Sequence, residues 1–360
     1  ITEGGYYVVE GSGEFDVEHP IIQHDLQHPN EPFGIYGFLA AALEQRRQQG
    51  LPPFTVLSCD NIQGNGQMVS KMLTTFAELQ NPDLGRWIAE HVAFPNSMVD
   101  RITPATTPAD REMVADQFEI DDAWPVVAEP FLQWVVEDHF SAGRPDLESV
   151  GVQMTDNVHP YEMMKIRLLN TSHLLLGYLG SLMGYTYAHE AMADDLIRQA
   201  IERLMDEVTS TLQPVPGIDI TEYKHTLVER FSNPKIRDQL ARLCLNSSAK
   251  LPKWVLGSVR DKLQQSGPID YMSLTIAAWF RYLKGQDDQG RPLPIEDPMA
   301  DVLTERAQAG GADPSPLLSL TEIFGDLPQN SRFVETVTTY LNQLYGSGAK
   351  GVLTQLLKDA

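Results

Sequence analysis

Three side chains suited to acid–base and hydrogen-bond chemistry fall within one apolar run. The segment Y-E-M-M-K-I-R-L-L-N-T-S-H-L-L-L-G-Y-L-G, residues 161–180, is helical by composition and apolar on nearly every face, which predicts a buried helix. Lys165, Asn170 and His173 interrupt it. At 100° per residue they lie at about 0°, 140° and 80°, sharing less than half the circumference, and Asn170 and His173 are neighbours one turn apart. A buried lysine is costly unless it is paired or loses its proton, and desolvation lowers its pKa toward neutrality, the condition a lysine general base requires. The same pattern is met if Lys165 snorkels from the helix start while Asn170 and His173 satisfy backbone groups. Residue types alone leave both readings open.

Other groups of reactive side chains carry less. His19, His24 and His28 in E-H-P-I-I-Q-H-D-L-Q-H-P include an i,i+4 pair, but the glutamate of H-E-x-x-H is missing and prolines stand at both ends, so loop histidines are expected rather than a zinc site. Cys59 closes a strand-like run and reads as a small core residue. Asp121–Asp122 and Asp194–Asp195 are adjacent, so their carboxylates diverge instead of converging on one bond and are expected in solvent. No metal site is expected.

The elements that must hold the 161–180 helix fall into two textures. Up to about residue 154 the pattern alternates: a β-rich run at 1–9, a helix at 36–48, a compact strand at 54–59, and a helix at 68–79. A second strand-like stretch follows at 87–97, then irregular chain through M-V-D-R-I-T-P-A-T-T-P-A-D-R. The polar cluster Asp60, Asn61, Gln63, Gly64, Asn65 and Gly66 stands where a strand gives way to a helix, the usual place for a ligand in an open α/β sheet. From 155 onward successive helices are expected at 161–179, 187–211, 221–231, 234–244, 252–264, 269–284, 314–325 and 329–346. The expected fold is therefore α/β plus all-α, with an incomplete Rossmann-like domain over 1–154 and a helical substrate domain over 155–360, the site lying between them.

At 360 residues the chain exceeds the roughly 250–300 residues of a single core, which agrees with two domains. Its 49 acidic against 27 basic residues give a formal charge of −22, a surface that repels phosphate backbones and anionic lipid, so neither nucleic acid nor a membrane is an expected partner. No stretch reaches the length of a membrane span, and I-T-E-G-G-Y-Y lacks the character of a signal peptide. Two cysteines without C-x-x-C spacing build neither a disulfide framework nor a zinc site, which points to the cytoplasm.

The run K-I-R-L-L-N-T-S-H resembles the K-x-x-x-x-N-x-x-H signature of the long-chain mannitol dehydrogenases. T-E-G-G-Y at 2–6, S-C-D-N at 58–61, F-P-N-S-M-V-D-R-I-T-P at 94–104, D-D-A-W-P-V-V at 121–127, P-V-P-G-I-D at 214–219 and R-F-S-N-P at 230–234 are similar to the same family. The resemblance implies a metal-independent enzyme moving hydride between NAD, or NADP, and a polyol or its ketose, mannitol and fructose first. It implies Lys165 as the general base, Asn61 and Asn170 as amide donors to the oxygen at the reacting carbon, and His173 as the group orienting a substrate hydroxyl. Asp100 would stand near base and substrate, Arg242 and Lys250 would hold the far end of the substrate, and Glu162 would pair with Lys165 or pass its proton to solvent. The family is often monomeric, so a monomer is expected.

The resemblance is incomplete in one respect. No G-x-G-x-x-G phosphate loop occurs, and G-S-G-E-F at 11–15 reads as a hairpin tip, so cofactor-binding residues are unassigned and roughly the first third of such an enzyme is expected to lie outside this chain. Rival expectations are a fructuronate reductase, whose substrate carboxylate needs a bidentate basic partner, a non-catalytic sugar- or nucleotide-binding homologue, and a metal hydrolase, which metal analysis would reveal.

Overall fold

The computed structural model describes residues 3–9 and 13–358. In chain order its elements begin with α1 (Pro20–Gln27), α2 (Ile35–Gln48), α3 (Asn65–Gln80), α4 (Pro82–His91), β1 (Ser97–Asp100), α5 (Pro108–Phe118), β2 (Gln133–Glu137) and β3 (Gln153–Thr155). Then come α6 (His159–Met164), a π-helical turn at Lys165–Asn170, α7 (Thr171–Leu182), α8 (Ala188–Met192), α9 (Asp195–Thr209) and α10 (Ile220–Phe231). After α11 (Leu240–Leu243) and α12 (Ser247–Leu251) a second π-helical turn, Pro252–Leu256, leads into α13 (Gly257–Gln264) and α14 (Asp270–Tyr282). The chain finishes with α15 (Ala300–Gly310), α16 (Ser315–Leu318), α17 (Thr321–Phe324) and α18 (Ser331–Leu356).

These elements form two compact units, Ile1–Arg101 with Pro130–Glu162, and Ile102–Glu129 with Met163–Ala360. The first unit carries a three-stranded sheet in the order β1-β2-β3, β1 antiparallel and β2–β3 parallel, with Asp100 opposite Gln133. Its core is made by α1 to α4, where Ile22, Tyr36, Leu43, Leu73, Phe76 and Ile88 are wholly removed from solvent. The second unit is built on α7 and α14. Every residue of α14 from Tyr271 to Tyr282 is buried, and it packs on α7, α9 and α18. Helices so apolar on all faces belong in a core. Two glycines let α7 approach α11 closely: a methyl group on Gly180 would stand 2.7 Å from Leu240 Cδ1, and one on Gly177 3.0 Å from Cys244 Sγ.

Several local expectations are corrected. The run at 1–9 forms a 3-10 turn at Glu3–Tyr6, because Tyr7 turns to positive φ and ends any extension; Ile1 and Thr2 lie outside the described residues. Val8 and Phe15 do make an antiparallel bridge around the G-S-G-E-F segment, of which Gly11 and Ser12 lie outside the described residues. Residues 54–59 run extended without a ladder among the described residues: Val56 donates to Ala93 O, and Ser141 N donates to Thr55 Oγ1. Apolar pattern marks burial, which Val56 and Ser58 show, but does not supply a pairing strand; Cys59 is exposed. Trp87–His91 closes the helix α4, capped by Asn81 on Asp83 N with Pro82 at its first turn, and the strand comes later at 97–100. The irregular stretch after Asp100 contains α5, started by a capping box of Thr107 and Asp110. The helix expected over 187–211 is split where Asp194 caps α9, and 234–244 is helical only over Leu240–Leu243.

Candidate active site

In the first unit the residues around Asn61 are pinned from below by Asn65. The Asn65 amide nitrogen donates to Asp60 O (3.0 Å) and Ser97 O (2.8 Å), its oxygen accepts from Ser97 N (3.0 Å), and Ser97 Oγ donates to Ser58 O (2.5 Å). The 58–64 loop is thereby tied to the start of β1. Gly66 permits this closeness, since a Cβ there would meet Phe94 O at 2.4 Å and Pro95 O at 2.5 Å. Asn61 is exposed at the loop surface. Asp100, at the other end of β1, is 4% exposed, so its carboxylate is buried and not at the surface. Glu162 accepts from Gly64 N at 3.0 Å and His159 contacts Gln63 at 3.3 Å, so α6 holds the same loop from its other side.

In the second unit Lys165 and Asn170 begin and end the π-helical turn, and Lys165 is 6% exposed. The turn changes the geometry expected of a regular helix. Its hydrogen bonds span five residues, as Thr171 N to Ile166 O does, so each turn takes more residues than in an α-helix and Asn170 swings back toward the face of Lys165. π turns of this kind recur at functional sites. The Thr171 hydroxyl donates to Trp254 O (2.7 Å) in the second π turn, while Arg167 reaches Thr211 O (2.6 Å) and Asp261 (2.6 Å). The irregular turn is thus held from three directions.

His173 follows one turn on and meets Phe231 in a tilted ring contact, 4.6 Å between centroids. Burial first, then the charges of Arg242, Arg230, Lys250 and Lys165, hold the imidazole well below its usual pKa. It is neutral at pH 7, able to donate one hydrogen bond and accept another. Lys165, Arg242 and Lys250 therefore all lie near enough to His173 for their charges to bear on it. Arg242 is occupied by Asp238 through two bonds, Nε to Oδ1 at 2.6 Å and Nη2 to Oδ2 at 2.5 Å. Lys250 approaches Leu243 O at 3.4 Å and lies over the Trp254 ring at 5.4 Å.

Several residues at this site escaped the sequence reading. Arg230 is buried against Glu129, whose carboxylate accepts from Arg230 Nη2 (2.7 Å) and Nε (3.0 Å) and from Ile102 N (2.6 Å). The R-F-S-N-P and D-D-A-W-P-V-V runs flagged that neighbourhood, but nothing in them joins residues 101 positions apart. Asp238 was detectable, standing four before Arg242 on one face. Of the histidines near the N-terminus, His19 and His28 flank α1 outside the helix, as expected of loop residues, and His24 lies within it. His19 caps α1, accepting from Ile21 N, and His24 within α1 bonds Asp25 and stacks between His28 and Phe33.

Comparison with known proteins places this arrangement. The mannitol dehydrogenase Rossmann domain profile matches residues 1–149, and the mannitol dehydrogenase C-terminal domain profile matches residues 157–345. The chain is 49% identical to a mannitol 2-dehydrogenase of Aspergillus fumigatus over 364 residues, covering 99% of this chain and 72% of that protein. It is 47% identical to one of Pyricularia oryzae over 367 residues, covering 100% and 73%. Among solved structures, the Pseudomonas fluorescens mannitol 2-dehydrogenase ternary complex with NAD and D-mannitol superposes with a TM-score of 0.87 at 48% identity, covering 100% of this chain and 74% of that one. A substrate-free D-sorbitol dehydrogenase gives 0.90 at 32% identity, covering 98% and 73%. A buried lysine and an amide on one π turn, a neutral histidine ringed by cations, and family profiles that span both halves agree: the chain belongs to the mannitol dehydrogenase family.

Proposed function

We propose that this protein is an NAD-dependent polyol oxidoreductase that interconverts D-mannitol and D-fructose without a metal. The observation that carries the reading is the buried Lys165 sharing a π turn with Asn170 beside the neutral His173. Bound NAD supplies the hydride acceptor. Lys165 takes the proton of the reacting hydroxyl as its carbon gives up hydride, and returns it in ketose reduction. Asn170, with Asn61 as the second amide donor, stabilises negative charge on that oxygen, and His173 orients a neighbouring hydroxyl. Asp100 accepts from a substrate hydroxyl, Arg242 and Lys250 serve the distal end, and Glu162 passes the proton of Lys165 toward solvent.

The residues present fit the nicotinamide end of the cofactor. Asp60, following the extended segment 54–59, keeps a buried carboxylate oxygen with no hydrogen-bond partner, an acceptor for an amide or ribose donor. NAD rather than NADP, a monomeric protein and a cytoplasmic setting belong to the same reading; no helix among the described residues is long and apolar enough to cross a membrane.

A neutral polyol is favoured over a uronate by the state of the arginines. A substrate carboxylate needs a bidentate partner, and the Arg242 and Arg230 forks are already engaged by Asp238 and Glu129. The test is turnover by the full-length gene product, read from NADH absorbance with fructose and then fructuronate, against Lys165→Ala. Fructose reduction that falls about 10²–10⁴-fold in the variant supports the lysine base. Preference for fructuronate overturns the polyol reading, and tight sugar binding without turnover makes the protein a binding homologue.

A further inference from the structure

His189 stands beside the proposed site yet has no part in it so far. Its place is rigidly set: Ala188 N donates to Asp238 O (2.8 Å), Leu240 N donates to Thr186 O (3.0 Å), and Tyr187 bridges Gln239, so the starts of α8 and α11 are locked together. The His189 ring stacks on Tyr187 at 5.7 Å between centroids. Its Nδ1 is buried and has no hydrogen-bond partner, which costs free energy unless something meets it. That atom belongs to a ring lining a small cavity shared with His173, Arg230, Asn233 and Asp238.

The cavity measures about 10 Å³. It is far too small for a sugar, and a water needs roughly 10–15 Å³ with two to four polar partners, which these walls offer. Histidine chemistry gives such a water a function. A neutral imidazole that receives or donates a hydrogen bond through one nitrogen has its tautomer fixed by whatever the other nitrogen meets. The His173 ring also meets Phe231 in a tilted contact.

We propose that this cavity holds one ordered water linking His189 Nδ1 to the His173 ring, and that His189 is a positioning residue that selects the tautomer His173 presents to the substrate hydroxyl. The inference rests on the reading of His173 as a substrate ligand given above. His189 would act only through His173, so its loss weakens substrate binding and leaves the proton transfer at Lys165 unchanged.

The experiment compares His189→Leu, His189→Asn and His189→Gln in the full-length protein with mannitol and fructose as substrates. His189→Leu should raise KM about tenfold, the worth of one well-placed hydrogen bond, with kcat changed less than about threefold. An asparagine amide reaches the position of Nδ1 and a glutamine amide that of Nε2, so His189→Asn should restore KM and His189→Gln should not. An unchanged KM in His189→Leu, or a His189→Asn as impaired as His189→Leu, overturns the proposal. His173→Leu is the control: loss of substrate binding there with His189→Leu unchanged rejects the water link alone, whereas unchanged kinetics in both rejects the role of His173 as well. A high-resolution crystal structure of the unaltered protein provides a test independent of variant folding, and a cavity without a water within hydrogen-bond reach of His189 Nδ1 overturns the link.

Discussion

Replacing Glu129 with alanine strands a buried guanidinium. Glu129 and Arg230 are 1% and 6% exposed. Among the partners of the Glu129 carboxylate are Arg230 Nε and Nη2 and Ile102 N, and Glu129 N donates to Ile102 O at 3.1 Å. One carboxylate thus closes both ends of the 102–129 excursion onto the end of α10. Removing one partner of a buried pair costs about 3–5 kcal/mol, because the remaining charge is left without compensation. The Ile102 amide loses its acceptor too, which moves the expectation to the upper half of that range. Glu129→Gln keeps an acceptor for that amide and is expected to cost about half as much. The double variant Glu129→Met, Arg230→Met removes both charges but still strands the Ile102 amide, so it is expected to cost about 1–3 kcal/mol, less than Glu129→Ala. Urea unfolding measures all three, and at about 2–4 °C per kcal/mol the alanine variant should also melt about 10 °C lower. A double variant as unstable as Glu129→Ala would refute the reasoning, since the loss would then come from packing and not from a stranded charge.

Three further outcomes are expected. Lys165→Arg keeps the charge but replaces the amine with a guanidinium that does not give up its proton, and should lose about as much kcat as Lys165→Ala, about 10²–10⁴-fold; retention of rate at neutral pH would reject the base. His173 has its folded pKa lowered, so the unfolded chain binds the proton more tightly and stability is lost as pH falls below the unfolded value of about 6.5. Urea midpoints taken downward from pH 7.5 should therefore decline less steeply in His173→Asn than in the native protein. Gly66→Ala forces a methyl group onto the Phe94 and Pro95 carbonyls, and should destabilise by about 1–3 kcal/mol while disturbing the Asn61 loop, seen as a rise in KM larger than that of Gly64→Ala.

What could be read from the sequence was chemistry carried on one element. Lys165, Asn170 and His173 lie within nine residues, so residue type and spacing raise them as candidates and the resemblance of K-I-R-L-L-N-T-S-H to a family signature singles them out, while the long apolar helices α7 and α14 are plain from their composition. What escaped was whatever depends on a distant partner. Glu129 and Arg230 meet across 101 positions, His189 matters only because α8 is bridged to α11, and the segment 54–59 has a strand's apolar pattern but no ladder among the described residues. The helix α5 was missed for a different reason. Prolines and threonines were read as irregular chain although T-P-A-D, with proline in the first turn, is a helix start.

The π turn shows why even the legible residues were misplaced. A regular helix would set Asn170 about 140° from Lys165, on a different face, and an ammonium and an amide so separated could not serve one oxygen. Widening the turn to five-residue hydrogen bonds narrows that separation at the expense of poorer backbone geometry, which must be held by something outside the helix. Here the outside supports are Thr171 on Trp254 O and Arg167 on Thr211 O and Asp261. Each lies 40 or more positions away along the chain from its partner. The geometry of Lys165 and Asn170 is therefore a property of the folded second unit as a whole, although the identities of both residues are plain in a stretch of nine.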